Sequence, residues 1–294
     1  MTPGGRINRA VELLAADQPI YYTGAHAGHV LTHEQGVEDA ATWADYINVG
    51  MEHGSFDMTG LDQYLAGLVA GGPTRSGHRT PAVIVEAPVE GVSEEMVRYN
   101  AWQFRQILAR GVHGILLCQV ESAAAVRAFV ESCRYPVNQI GVGEGLGIGR
   151  RGVGSEPVCN AVWGAGDSYI ARADPWPLNK DGELLLGVKI ESADALPHIE
   201  EMLAVPGIGF AEMGPGDLGM SLRAQKHLQP WQELMQETHE RVKAGCVQNG
   251  LAFLAGATPA TIAEKIDEGA RVIAGGNEET ARVGRLHSGR QMPA

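Results

Sequence analysis

The chain is short of basic residues, with 23 lysines and arginines against 35 aspartates and glutamates and a net charge of −12. Nucleic-acid binding needs a basic face to neutralise phosphates, so no nucleic-acid partner is expected. An anionic small substrate is not excluded, because a bound cation can recruit it. No apolar run approaches the roughly 18 residues that span a bilayer, so no membrane partner is expected either. The amino terminus lacks a basic stretch ahead of an apolar core, and no signal peptide is read there. Cysteine is scarce: Cys118, Cys133, Cys159 and Cys246 fit no zinc spacing. They read as reduced, buried thiols of a cytoplasmic protein. No short repeat is present, which sets aside a solenoid.

What is there is an ordinary globular composition, 44% hydrophobic and 20% charged over 294 residues. Short apolar runs alternate with helical patterns about eight times. The candidate strands are Ile20–Thr23, Tyr46–Val49, Ala82–Glu86, Gly114–Cys118, Leu184–Ile190, Ile208–Met213, Ala252–Ala255 and Val272–Ala274. They are nearly continuous in apolar residues, as strands buried on both faces are. Helices are read at Ser93–Ala109, Ala123–Cys133, Ala193–Leu203, Trp231–Asn249 and Pro259–Glu268. Ser93 is placed as an N-cap, Thr258-Pro259 as a helix start, and Gly111, Gly250 and Gly269 as helix stops. The fold predicted is α/β: a single (β/α)₈ TIM barrel spanning residues 1–294.

One segment breaks the alternation. Residues 136–181 are rich in glycine and proline and join candidate strands four and five. A connection of that length is usually functional, and it is expected at the catalytic face. Its Gly141 and Gly143 begin a dinucleotide-type pattern, but position 146 is leucine, so that fingerprint fails.

Two acids stand just past strands. Glu191 follows Leu184–Ile190, and Asp217 follows the sixth strand in Gly214-Pro215-Gly216-Asp217. Carboxylates at the carboxyl ends of barrel strands point into the mouth and suit a hard divalent cation. With no His or Cys beside them, Mg²⁺ or Mn²⁺ fits best. The other reading of Asp217 is a cap on the helix that follows. His53, after the second strand, is placed to move a proton near neutral pH, with Glu52 beside it to orient the ring. His26, His29 and His33 follow the first strand at a spacing that suits no common zinc site. They read as structural, with one of them able to reach substrate.

Glu52-His53-Gly54, Ile190-Glu191-Ser192 and Gly214-Pro215-Gly216-Asp217-Leu218-Gly219 occur in that order. With Arg134-Tyr135-Pro136 and Arg151-Gly152-Val153-Gly154-Ser155 between them, the chain resembles the HpcH/HpaI aldolase family. The resemblance covers roughly Ile20 to Ala274. It implies a metal-dependent (class II) aldolase that cleaves a 4-hydroxy-2-oxo acid to pyruvate, or a related 2-oxo acid, and an aldehyde. The metal would hold the oxo acid and stabilise the enolate formed as the C3–C4 bond breaks. His53 would assist at the C4 hydroxyl, and the Gly216 and Asp217 amides would hold the carboxylate. The family also implies a homo-hexamer, a dimer of trimers, with residues 277–294 exchanged between subunits.

Three positions depart from the family's pattern. Glu86 stands where an arginine usually meets the oxo acid. Lys189 replaces a glutamine two residues before the first metal ligand. No acid replaces the aspartate that partners the family's histidine. Lys189 and Glu86 are therefore expected to pair inside the barrel, with Arg151 or Arg150 supplying the missing charge to the substrate. A Schiff-base role for Lys189 is disfavoured, since nearby carboxylates keep it protonated. The sequence does not choose among Mg²⁺, Mn²⁺ and Co²⁺. It leaves open a decarboxylase, a hydrolase, a citrate-lyase-like enzyme or a non-catalytic oxo-acid-binding protein.

Overall fold

A computed structural model describes residues 5–225, 227, 228 and 230–290. Nine parallel strands run in chain order: β1 (Ile20–Ala25), β2 (Tyr46–Gly50), β3 (Ala82–Glu90), β4 (Gly114–Cys118), β5 (Pro175–Trp176), β6 (Leu184–Ile190), β7 (Phe210–Met213), β8 (Ala252–Gly256) and β9 (Ala270–Ala274). The sheet closes through β1–β9 and β4–β6 pairing, so eight strands form the barrel and the two-residue β5 lies beside β6. All eight strands read from the sequence are present; β5 was not anticipated. It is too short to show any pattern.

Alternation along each strand divides the apolar residues into two cores. Outward residues such as Ile47, Val85, Leu117, Val188 and Ile273 pack under the helices. Inward residues such as Tyr22, Tyr46, Ile84, Leu116, Leu185 and Phe210 fill the barrel. Both sets are buried, which is why the strands read as continuous apolar runs. Phe210 reaches across to β6, where a side chain on Gly187 would stand 2.2 Å from its ring. The amino end of the barrel is plugged by helix Arg9–Ala15, whose Ala10, Val11, Leu13 and Leu14 join the inner core. Asn8 caps that helix and ties it to the wall, donating to the carbonyls of His113 and Glu183.

Local signals set most helix limits. Ser93 caps helix Glu94–Leu108, accepting from the Met96 amide at 3.2 Å. Gly250 ends helix Trp231–Asn249 in the left-handed conformation. The helix expected from Pro259 starts only at Ile262, because the Thr261 hydroxyl takes the Thr258 amide in a turn first. Pro197 makes the first half of Ala193–Leu203 a 3-10 turn.

The glycine-rich connection is not at the catalytic face. It follows helix Ala123–Cys133, which returns the chain to the amino end of the barrel, so it packs there. Trp163 donates to the Gly111 carbonyl at 2.8 Å and stacks on His113, just before β4. A fully buried Arg134–Asp174 pair at 2.7 Å holds the segment together. Arg151 belongs to this packing. It is buried, bonds the Tyr169 hydroxyl at 2.6 Å and the Leu108 carbonyl, and lies over the Tyr135 ring. It therefore cannot supply a charge to substrate at the opposite end.

Among the described residues no helix is long and apolar enough to cross a membrane. All four cysteines are buried and unpaired.

Candidate functional site

Strand register explains why charge gathers at the carboxyl end. Lys189 on β6 pairs with Glu212 on β7, so both share the inner face, and Glu191 follows two residues on. Glu86 of β3 lies level with Gly50 of β2. At this end opens a cavity of about 580 Å³, open to solvent and lined by His26, His53, Lys189, Glu191, Glu212 and Asp217 with glycines 214, 216, 256 and 275.

Glu52 turns inward from the loop after β2 and links the two acids read from the sequence. Donor atoms of Glu52, His53 and Asp217 lie within 4.8 Å of one another, and so do those of Glu52, Cys118 and Glu191. Glu191 is held on both sides. The Gln119 amide donates to its Oε1 at 3.0 Å, and its Oε2 lies over Gly214, where any side chain would collide at 2.2 Å. Gln119 adopts φ 53°, a left-handed conformation that costs a non-glycine residue energy and here aims its amide at the carboxylate. Asp217 sits in the first turn of helix Pro215–Ala224, not as its cap, which is Gly214. The Gly216 and Asp217 amides share that turn, where N–H groups lack intrahelical acceptors and favour anions.

The expected Lys189–Glu86 pair does not form. Lys189 Nζ lies 3.4 Å from Glu52 Oε2, and Glu86 is taken by other partners. Its Oε1 accepts from Asn48 at 3.0 Å and meets His26 Nδ1 at 2.7 Å. Position along the barrel axis was read correctly, but the neighbours of Glu86 around the barrel are β2 and the loop after β1. His53 stands 3.7 Å from Glu52, too far for a hydrogen bond, and its side chain is 54% exposed. His29 is structural, bonded to Asp39 at 2.9 Å within a cluster with Tyr64.

Four carboxylates, Glu52, Glu86, Glu191 and Glu212, surround one ammonium. Burial pushes Glu191 up to about 8, with Glu52 adding to it against the pull of Lys189. Burial likewise pushes Glu212 up to about 7, again opposed by Lys189. Burial works against the charge on Lys189, but Cys118, Glu212, Glu86 and Glu191 outweigh it and hold the ammonium well above its ordinary value. A protonated lysine is no nucleophile. One oxygen each of Glu86 and Glu212 is buried without a hydrogen-bond partner. Burial also drives the Cys118 thiol far upward, which leaves oxygen as the main donor type here. A surplus of hard oxygens over cationic charge fits Mg²⁺ or Mn²⁺.

Glu212 was not singled out from sequence, because it lies inside an apolar run. Its signal was available only through parity with Lys189 on the neighbouring strand. Gln119 and Asn48 carried no sequence signal.

Comparisons agree with this architecture. The sequence matches the HpcH/HpaI aldolase/citrate lyase family over residues 84–281, well over half of the chain. A 2-keto-3-deoxy-L-rhamnonate aldolase of Klebsiella pneumoniae is 33% identical over 135 residues, which are 46% of this chain and 41% of that protein. The match thus spans less than half of the curated relative. An HpcH/HpaI aldolase/citrate lyase family protein from Burkholderia cenocepacia shares the fold, with a TM-score of 0.69, 20% identity, and coverage of 96% of this chain and 97% of that one. The citrate lyase beta subunit from M. tuberculosis, solved with oxaloacetate and magnesium, aligns at a TM-score of 0.52 and 12% identity, covering 94% and 98% of the two chains. On the family match, this protein is a member of the HpcH/HpaI aldolase/citrate lyase family.

Proposed function

We propose that this protein is a divalent-cation-dependent carbon–carbon lyase. It splits a 4-hydroxy-2-oxo acid into pyruvate, or a related 2-oxo acid, and an aldehyde. The observation that carries this reading is the place of Glu52 at the barrel mouth, where donor atoms within 4.8 Å group it with Asp217 on one side and with Glu191 on the other, beside the free amides of a helix start. The aldolase activity named for the Klebsiella relative supports it, as does the oxo acid and magnesium bound by the citrate lyase subunit.

Glu191 and Asp217 would hold the cation, Mg²⁺ or Mn²⁺, with Glu52 closing the third side. When bound, the cation supplies a Lewis acid for the ketone and carboxylate oxygens of the oxo acid. The Gly216 and Asp217 amides orient the substrate carboxylate. Lys189 keeps Glu52 in the cavity and offsets part of the negative charge. His53 and His26 both face the cavity as groups able to move the proton that cleavage requires. A homo-hexameric assembly and a cytoplasmic location belong to the same reading, in keeping with four unpaired buried thiols.

The test is pyruvate release from a panel of 4-hydroxy-2-oxo acids, coupled to lactate dehydrogenase. Chelator-treated protein should be inactive and recover with Mg²⁺ or Mn²⁺. Release that persists undiminished in chelator, or none from any member of the panel, rejects the proposal.

A further inference from the structure

His26 and His53 both reach the cavity, but only His26 is built to hold a defined proton. Its Nδ1 lies 2.7 Å from Glu86 Oε1. Glu86 is 1% exposed and is fixed in turn by Asn48 at 3.0 Å on the same oxygen. An imidazole bonded through Nδ1 to a carboxylate carries its proton there, so Nε2 is left as the free lone pair. No other hydrogen bond to the His26 ring occurs among the described residues, and its side chain is about half exposed, into the cavity. His53 has no such partner: Glu52 lies 3.7 Å away and is engaged by Lys189, and Asp217, within 4.8 Å, makes no hydrogen bond to its ring.

We propose that His26, positioned by Glu86, is the proton-transfer group of this site: its Nε2 takes the C4 hydroxyl proton of the bound oxo acid. The inference rests on the lyase reading above and assigns a residue to it. As the O–H bond breaks, its electron pair forms the aldehyde carbonyl. The C3–C4 bond pair moves between C3 and C2, and the C2 carbonyl π pair moves onto its oxygen. Nε2 then returns the proton to C3, which gives the 2-oxo acid and restores neutral His26. No oxidant or further reactant is needed.

The groups acting on His26 are Glu86 from β3, Lys189 from β6 and Glu212 from β7. The Glu86 hydrogen bond outweighs burial and lifts the imidazole above its ordinary value. A base must be deprotonated to act, so the acidic limb of kcat/KM should lie above pH 6.5, the ordinary histidine value. Glu86→Gln keeps the shape and removes the charge, so it should move that limb to lower pH.

Three measurements test this. His26→Gln should lower kcat about 100-fold or more with KM within a few fold. Glu86→Gln should lower kcat and shift the acidic limb down. In cation-free protein, an NMR titration of the His26 ring should give a raised value in the wild type and a lower one in Glu86→Gln. Wild-type kcat in His26→Gln, or an acidic limb or His26 titration that Glu86→Gln leaves in place, overturns the inference while the lyase reading stands. A His26 ring that titrates at or below its ordinary value in the wild type does so too, whatever the variants do. Absence of any cation-dependent cleavage by the wild type rejects the lyase reading itself.

Discussion

Lys189 Nζ lies 3.4 Å from Glu52 Oε2, which ties the wall of the barrel to the loop that carries His53. The contact is long for an ion pair, yet both side chains are nearly buried, 6% and 9% exposed. Its importance lies in the count: removing the ammonium leaves Glu52 and Glu86 without their fixed cation, beside Glu191 and Glu212, which burial already holds toward the neutral form.

Lys189→Met should therefore destabilise the metal-free protein by about 3 kcal/mol, in the range seen when one partner of a buried pair is lost. Urea unfolding at neutral pH reads this directly. Mn²⁺ should restore part of the loss, because a ligand that binds only the folded state stabilises it by mass action. A variant as stable as the wild type without metal would show that protonation of Glu191 and Glu212 already neutralises the site.

Millimolar Mn²⁺ should raise the melting temperature of the wild type. Glu191→Gln with Asp217→Asn should abolish that rise, since an amide oxygen carries no net charge for the cation. Glu52→Gln should reduce it by a smaller amount, as Glu52 also pairs with Lys189. A full shift in the double variant would place the cation elsewhere in the cavity. The melting shift needs no turnover, so it tests the site separately from the reaction.

How far these residues were legible follows from what each kind of signal carries. Glu191 stands out because an acid directly after an apolar strand has few structural explanations, and Asp217, a few residues past β7, because it falls at the same end of the neighbouring strand. Glu212 does not, because one acid inside a strand shows its face only once the neighbouring register is known, and Lys189 supplies that. Parity and strand ends gave height along the barrel, not angle around it. The pairing of Lys189 with Glu86 was therefore misplaced, while Glu52, on a loop that folds inward, took the lysine. The glycine-rich segment was assigned to the wrong end for a topological reason: a connection that follows a helix starts at the amino ends of the strands. Its interior helix Glu156–Trp163 was missed because glycine and proline masked it, although Gly164 closes it in the left-handed conformation.

His113 should make stability depend on pH. It is 1% exposed, accepts the Val83 amide through Nδ1 at 3.2 Å and stacks on Trp163. Burial holds it down at about 3, against an ordinary value of 6.5. As pH falls, the unfolded chain takes the proton first. The contribution of His113 is thus complete above pH 6.5 and is lost toward pH 3, at about 1.4 kcal/mol per pH unit. His113→Asn keeps an acceptor for Val83 but does not titrate. Between pH 7 and pH 5 the wild type should lose about 2 kcal/mol more than this variant in denaturant unfolding. Equal losses would mean that the ring takes up its proton without leaving the fold.

Two acids hold the carboxyl-terminal helix Glu278–His287: exposed Asp267 meets His287 at 2.7 Å, and buried Asp45 pairs with Arg285 and Arg290. Asp45 Oδ1 meets Arg290 at 2.6 Å and Arg285 at 3.3 Å, while Oδ2 accepts the Tyr21 amide at 3.0 Å. Both guanidiniums lie over the Tyr21 ring, and burial depresses the Arg285 cation below its ordinary value. The arrangement is unequal. Arg285→Met leaves Asp45 paired with Arg290 and creates no lone buried charge. Asp45→Asn leaves two buried cations facing each other with no anion, which should cost about 3–5 kcal/mol. The acid substitution should therefore exceed the arginine substitution by at least about 1 kcal/mol in unfolding, and amide exchange should rise first in residues 278–287. Were Arg285→Met the more damaging change, packing of the arginine stem on Tyr21 would be holding the helix, and Asp45 would serve mainly to cap the Tyr21 amide.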